Sequence, residues 1–364
     1  MEKQTVYFTE TVLSEACGAY LDSAFPLMEI EQRRDELKTC GYYALEVMNR
    51  EVFRACLRDI GEDPWARLRR MHRMLGGVRL QARMKGREGF GSAPLPDSVL
   101  RRFVRTAVQC GVSVVAVYDE DNNFDNIRAM AEEAVHEGAE LHCEITLKPA
   151  SDPDACFYFA KSCCELGASY LVLSDPNGAV APGRVAALTA LLREKLGAAV
   201  GIRCSCKAGM AYMSCLKAVE SGASLLESCV SPFSGGVCLP ATETMFCTLR
   251  EFGYDVGLQE AVMYRLAESF KPLRAASLAD KRMDPLDMGV NTDAIHVREK
   301  AAAPAIGNEA DLLPFDLYQS GKAELGELFR REEDVLSLLA VPEEAETYRK
   351  RLSSRVSFSL SAAD

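Results

Sequence analysis

Three acids stand where strand-like runs give way to loops: Glu15, Asp119 and Asp175. Carboxylates brought together from three chain segments can hold a divalent cation or act as general acid and base, and acids at loop starts also cap helices. Ser14, Lys85, Asn122, Ser174, Arg203 and Ser205 occupy comparable places. Lys85 and Arg203 together offer a positive centre for a carboxylate or phosphate, and Arg203 alone carries the two-pronged fork. The plainer reading pairs Arg203 with Asp175 or Glu15, because a buried cation needs a partner. Asp119 and Asn122 also serve as helix-start residues for the segment at Asn126. Cys204-Ser205-Cys206, with Cys17 and Glu15, supplies donors that zinc takes. Strand alternation puts Cys204 and Cys206 on the face opposite Arg203 and Ser205, so that site needs a one-residue register slip. His72, His136, His142 and His296 show no ligand spacing and read as surface or satisfied structural histidines. Gly235-Gly236 reads as a turn more than as a phosphate loop.

What must position these side chains is a repeated unit. Strand-like runs at residues 6–13, 43–48, 78–83, 113–118, 140–146, 169–174, 199–204 and 224–229 recur about every 30 residues, the length of one βα repeat. Between them, residues 98–110, 126–136, 153–166, 182–196 and 213–221 carry apolar side chains at intervals of three and four, as amphipathic helices do. Gly111, Gly138, Gly167, Gly197 and Gly222 fall where a left-handed helix stop is expected. Eight such units predict a closed (β/α)8 barrel rather than an open doubly wound sheet, and no GxGxxG follows the first strand. The barrel is expected over residues 1–270, with a helical appendage over 271–364 and a linker at Ala301-Ala302-Ala303-Pro304.

The 364 residues, 48% hydrophobic and 26% charged, are enough for one large α/β barrel with an appendage or two domains of ordinary size, and the composition excludes global disorder. A net charge of −11 repels nucleic-acid phosphates and anionic lipid. Arg67-Leu68-Arg69-Arg70 and Arg101-Arg102 read as solvated helix faces. The first ten residues lack a basic flank and apolar run, and no stretch of about 18 apolar residues occurs, so a cytoplasmic chain is expected with no membrane span. The 14 cysteines lie in apolar segments of a large chain and read as reduced, buried thiols.

Thr9-Glu10-Thr11-Val12-Leu13, the run from Glu62-Asp63-Pro64-Trp65 through Arg67-Leu68-Arg69, Leu80-Gln81, Leu216-Lys217-Ala218-Val219-Glu220-Ser221-Gly222 and Pro240-Ala241-Thr242-Glu243 follow one another in order. Together they resemble the carboxyltransferase domain of pyruvate carboxylase, oxaloacetate decarboxylase α subunits and the transcarboxylase central subunit. The similarity runs from about residue 6 to residue 274; Ala310-Asp311-Leu312-Leu313-Pro314 and Glu333-Asp334-Val335-Leu336 look like the end of the same domain. The resemblance implies a (β/α)8 barrel with a helical funnel, and a divalent metal that polarises a keto acid. In that family the metal is held by an Asp after strand one, a carbamylated Lys after strand six and His-x-His after strand seven. An Arg on strand three grips the substrate carboxylate, and biotin is carried by another chain or domain.

This chain departs at each of those places. Ser14-Glu15-Ala16-Cys17-Gly18 stands where the family reads Arg-Asp-Ala-His-Gln; Ser174, beside Asp175, replaces the lysine; Arg203 and Ser205 replace the histidines; Lys85 replaces the substrate arginine. The segment from 274 to 310 is too short for the family's Pro-Ser-Ser-Gln stretch and proton-shuttling Thr, and no Met-Lys-Met biotin site occurs. The expectation is a barrel without metal-dependent carboxyl transfer and without a cofactor of its own, degenerate at Glu15, Ser174, Arg203 and Ser205. The alternative is an enzyme of altered chemistry on a small keto acid or other anion, with Asp175 and Lys85 as catalytic candidates and Lys85, Arg203, Asp119 and Asn122 holding substrate. A homodimer, an active paralogue or biotin-carrier protein, and a small carboxylate are the partners the resemblance implies.

Overall fold

The computed structural model describes residues 4–21, 23–280, 332–345 and 347–348. Eight parallel strands form the centre: β1 (Thr5–Glu10), β2 (Ala44–Met48), β3 (Leu80–Lys85), β4 (Val114–Asp119), β5 (Glu140–Thr146), β6 (Tyr170–Asp175), β7 (Val200–Cys204) and β8 (Leu225–Ser228). Each pairs with the next, and β1 pairs with both β2 (Glu10 opposite Leu45) and β8 (Glu10 opposite Ser228), so the sheet closes on itself. The protein is a TIM barrel. A short β9 (Asp255–Val256), not expected from the sequence, adds to the outer start of β1.

Helices α1 (Val12–Ala19), α2 (Leu27–Gln32), α3 (Arg34–Thr39), α4 (Arg50–Ala55), α5 (Pro64–Met74), α6 (Asp97–Gln109), α7 (Phe124–His136), α8 (Pro153–Glu165), α9 (Pro182–Leu196), α10 (Ala211–Glu220), α11 (Thr242–Glu251) and α12 (Glu260–Asp280) surround it. Strand alternation divides each β segment between two environments. Val115 and Val117, Cys143 and Ile145, Leu171 and Leu173 join the apolar layer under the helices. The inward positions carry polar groups. At the N-terminal end of the barrel Tyr7, Tyr43, His142 and Tyr170 form an aromatic layer, with ring centroids 5.1–6.1 Å apart.

Most strand and helix ends lie within two residues of the expected ones, with one larger exception. The run at 6–13 stops being a strand at Glu10, because the Glu10 carboxylate accepts the amides of Thr11 (3.1 Å) and Val12 (3.0 Å) and starts α1 there. All five predicted glycine stops have positive φ, and at Gly111 a Cβ would lie 2.2 Å from His72 Cγ, so no other residue fits without rearrangement.

The Glu62–Arg69 segment is a clamp. Asp63 caps α5 by accepting the Trp65 amide (2.9 Å), Pro64 occupies the first turn, and Trp65 packs among Phe53, Phe90 and Phe103. Its indole Nε1 donates to Glu333 O and Ser337 Oγ, each at 3.0 Å, on helix α13 (Glu332–Ala340). Arg69–Glu333, Arg102–Glu332 and Arg54–Glu344 hold the same segment on the barrel. Arg67 corrects the solvated-face reading: it is 1% exposed, donates to Phe25 O (2.6 Å) and pairs with Glu62. The boundary expected at residue 270 falls inside α12, and the linker at 301–304 and the 310–314 patch lie outside the described residues. None of the cysteines is disulfide-bonded, and all but Cys164 and Cys247 are buried. No helix among the described residues is long and apolar enough to cross a membrane.

Candidate functional site

The inward side chains of β2, β3, β5, β7 and β8 make a buried charged layer. At its centre the Arg203 guanidinium donates to Glu46 Oε2 (2.9 Å), to Glu227 and, from the other Nη, to Glu15. Gln81 Nε2 joins the two strand carboxylates, at 3.3 Å from Glu46 and 3.1 Å from Glu227, and the Ser14 hydroxyl donates to Glu46 Oε1 at 2.6 Å. Beside it Arg83 makes a two-pronged bond to Glu144 (2.6 and 2.8 Å) and lies 3.8 Å over the Tyr118 ring.

Burial sets the electrostatics. It pushes the Glu46 carboxyl up to about 7, against the pull of Arg203. Burial also opposes charge on Arg203, but Glu46, Glu15 and Glu227 overcome it and hold the guanidinium protonated well above its ordinary range. Glu144 is lifted by burial and pulled down further by Arg83, ending below the usual carboxylate range. The layer is therefore a set whose members depend on one another, with the raised Glu46 carboxyl offsetting part of the excess of carboxylates over guanidiniums.

Glu10 illustrates the same physics without a cation. Besides the α1 amides it accepts the Val230 amide (3.1 Å) and the Thr242 hydroxyl (2.8 Å), so two of the sequence motifs, Thr9-Glu10-Thr11 and Pro240-Ala241-Thr242-Glu243, meet here as a structural joint. Burial raises its carboxyl from 4.5 to about 7. The folded state therefore keeps a proton that the unfolded chain has released. The stability this gives is complete below about 4.5 and is lost as pH rises through about 7. Glu10→Gln is expected to flatten that part of the stability curve in denaturant melts at pH 5 and pH 7.5; an unchanged slope would count against the assignment.

Above the layer, a cavity of about 340 Å³ opens at the C-terminal mouth, bordered by Ser14, Glu15, Asn49, Arg50, Lys85 and Tyr118. A second, of about 360 Å³, adjoins Tyr118, Thr146, Ser174 and Asn177. Lys85 is not poised for a substrate anion: its ammonium lies 3.1 Å from Glu88 and 3.0 Å from Glu120. Asp175 does not reach Arg203. It accepts the amides of Asn177 (3.2 Å) and Val180 (2.8 Å), and burial raises its carboxyl against these bonds. Asp119 accepts the Asp121 and Asn123 amides (3.0 and 2.9 Å) and the Asn126 side chain (2.8 Å). Asn122, in the left-handed region at φ 55°, exchanges two bonds with Thr146 (2.7 and 2.8 Å). Ser205 donates to Val237 O at 3.1 Å.

The structure thus gathers Glu15 and Arg203 and leaves Asp119, Asn122 and Asp175 as loop organisers. Cys17, Cys204 and Cys206 are not gathered: Cys204 Sγ lies 4.0 Å from Asp175, and burial pushes the Cys17 and Cys206 thiols to about 12. Among the described residues, the one group of three His, Cys, Asp or Glu donors close enough to share an ion is Glu133 and His136 on α7 with Glu137 at its C-terminal cap, so His136 does have ligand spacing. His142 is not a surface residue: it is fully buried, with Nε2 3.1 Å from Glu140 and Nδ1 without a hydrogen bond. Sequence reasoning missed Glu46, Arg83, Glu144 and Glu227; Glu46 and Glu227 are each the one charge of a short apolar strand, and for these two that pattern was the available signal.

No family model matches the chain. A pyruvate carboxylase subunit from Methanocaldococcus jannaschii is 29% identical over 250 residues, 68% of this chain and 44% of that protein. The methylmalonyl-CoA carboxyltransferase 5S subunit of Propionibacterium freudenreichii is 24% identical over 278 residues, 75% of this chain and 55% of that one. The carboxyl transferase domain of Rhizobium etli pyruvate carboxylase, solved with pyruvate, superposes with a TM-score of 0.75 at 22% identity, over 81% of this chain and 52% of that chain. This chain is a divergent homologue of pyruvate carboxylase B subunits and of the methylmalonyl-CoA carboxyltransferase 5S subunit. It spans about half the length of the relatives it matches.

The carboxyltransferase metal does not fit the side chains present. A guanidinium, which cannot ligate a cation and repels one, fills the space between Glu15, Glu46 and Glu227, and it uses the oxygens an ion would need. Ser174 offers no amine for a carbamate, and the Ser205 hydroxyl is committed to the loop after β8.

Proposed function

We propose that this carboxyltransferase-family barrel no longer carries out metal-dependent carboxyl transfer and serves a binding or assembly role. One observation carries the reading: Arg203 is bonded to three carboxylates at the position where the family resemblance expects a metal-binding histidine. An ion entering there has to displace the guanidinium from all three carboxylates, leaving two cations in one buried space. Lys85, with both neighbours acidic, is likewise engaged, so a small carboxylate gains little by entering. The reading requires no cofactor on this chain. Relatives named as subunits suggest the partner, an active paralogue or a biotin-carrying protein, with self-association as a homodimer. Buried unbonded thiols fit a reducing compartment such as the cytoplasm.

The test is oxaloacetate decarboxylation in the presence of Mn²⁺ or Zn²⁺. The expected rate is that of the metal alone. A protein-dependent increase of about tenfold or more that Glu15→Gln abolishes, about 1.4 kcal/mol of transition-state stabilisation, overturns the reading.

A further inference from the structure

The loop that leaves β8 returns to its starting point. The Cys229 amide donates to Pro240 O and the Thr242 amide to Cys229 O, both at 3.0 Å, so the returning chain lies along Cys229. Between them Gly235 and Gly236 take φ of 79° and 53°, and the Cys238 amide donates to Gly235 O at 2.8 Å. This turn, which a residue with a Cβ adopts only with strain, brings Cys238 back onto Cys229. Both thiols are fully buried and each acts on the other's ionisation, and Cys229 Sγ donates to Phe233 O at 3.3 Å. The same loop walls the mouth: Val237 borders the cavity of about 340 Å³ beside Glu15, its carbonyl accepts the Ser205 hydroxyl, and Cys238 O accepts the Cys206 amide at 2.8 Å.

We propose that Cys229 and Cys238 are an oxidisable pair whose reversible disulfide pins the loop after β8 as a fixed wall of the barrel mouth, with a peroxide as oxidant. One thiol attacks a peroxide oxygen, the O–O bond breaks, water leaves and a sulfenic acid forms. The second sulfur then attacks that sulfur, the S–O bond breaks and the hydroxyl leaves with the second thiol's proton as another water. The pair is oxidised by two electrons and the peroxide is reduced by two. Closing the bond needs the sulfurs to approach to about 2 Å, and a loop with two glycines at its turn can supply that movement. A second thiol contact, Cys143 with Cys163, joins β5 to α8. There both backbones are fixed within regular elements, so this pair lacks the same freedom and serves as an internal comparison. Burial keeps the Cys229 thiol protonated, so oxidation proceeds through openings of the loop and is slow.

The full chain is incubated with hydrogen peroxide, unfolded, alkylated with iodoacetamide and mapped by mass spectrometry without reductant. The expected product carries two fewer alkyl groups, yields a cross-linked peptide joining Cys229 to Cys238, and reverts with dithiothreitol. Its loop, residues 231–237, is expected to be cut about tenfold more slowly by protease than in the reduced protein. Cys229→Ala and Cys238→Ser each abolish the cross-link, and the wild-type map decides the matter even where a variant folds poorly. Full alkylation after peroxide, a cross-link at Cys143–Cys163 instead, or irreversible oxidation without a cross-link overturns the proposal. The outcome is independent of whether the barrel turns over a keto acid.

Discussion

Arg203→Met is expected to destabilise the protein by about 3–5 kcal/mol at pH 8, the cost of leaving buried carboxylates without their cation. The methionine replaces most of the apolar volume, so packing loss is a minor part of the effect. What remains is Glu46 and Glu227, both fully buried, facing each other across Gln81 with Glu15 nearby. The deficit is expected to shrink toward pH 5, because Glu46, already raised to about 7 by burial, takes up a proton once the guanidinium is gone. Adding Glu46→Gln and Glu227→Gln to Arg203→Met is expected to recover most of the loss, since the three substitutions remove the whole set rather than one member. Urea melts at the two pH values measure both effects. A change below about 1 kcal/mol for Arg203→Met alone would mean that the layer is solvated and the ion pairs are incidental.

Trp65→Ala is the second large effect, about 3–5 kcal/mol for removal of a fully buried indole. It empties a space shared with Phe53, Phe90 and Phe103 and removes the donor that holds Glu333 O and Ser337 Oγ. The loss is expected to show first in α13: hydrogen exchange at residues 332–340 should accelerate more than exchange at β4 or β5, because α13 is held mainly from that side. Glu333→Ala, which removes the carboxylate paired with Arg69 and leaves the backbone acceptor, should have a much smaller effect. Unchanged exchange at 332–340 in Trp65→Ala would contradict the docking.

The barrel was legible because parallel strands buried on both faces leave apolar runs, and helices between them leave a spacing of three and four. Pro182–Leu196 and Glu140–Thr146 agree residue for residue, each bounded by proline, glycine or a polar turn. The end of β1 was not legible, since Val12 and Leu13 are as apolar as a strand requires, and what stops the strand is a carboxylate two residues earlier bonding the next amides. The site was half legible. Position and residue type led to Glu15 and Arg203, but a pairing with Asp175 looked equally available. Only the closed barrel places Glu46 and Glu227, 157 and 24 residues from Arg203 in the chain, on the same guanidinium. Asp175 turned instead to the amides that follow it, a local competition that a loop-start acid often wins.

Metal content decides whether the Arg203 guanidinium stands in place of a metal ion. The chain is dialysed against Zn²⁺ or Mn²⁺, freed of loose ion and analysed for bound metal, alongside Glu15→Gln and a His136→Ala variant that removes the donor group on α7. No ion that depends on Glu15 is expected: wild type and Glu15→Gln hold equal amounts, and His136→Ala holds none. About one ion per chain that survives in His136→Ala and disappears in Glu15→Gln would contradict it, and would return the barrel mouth to metal chemistry.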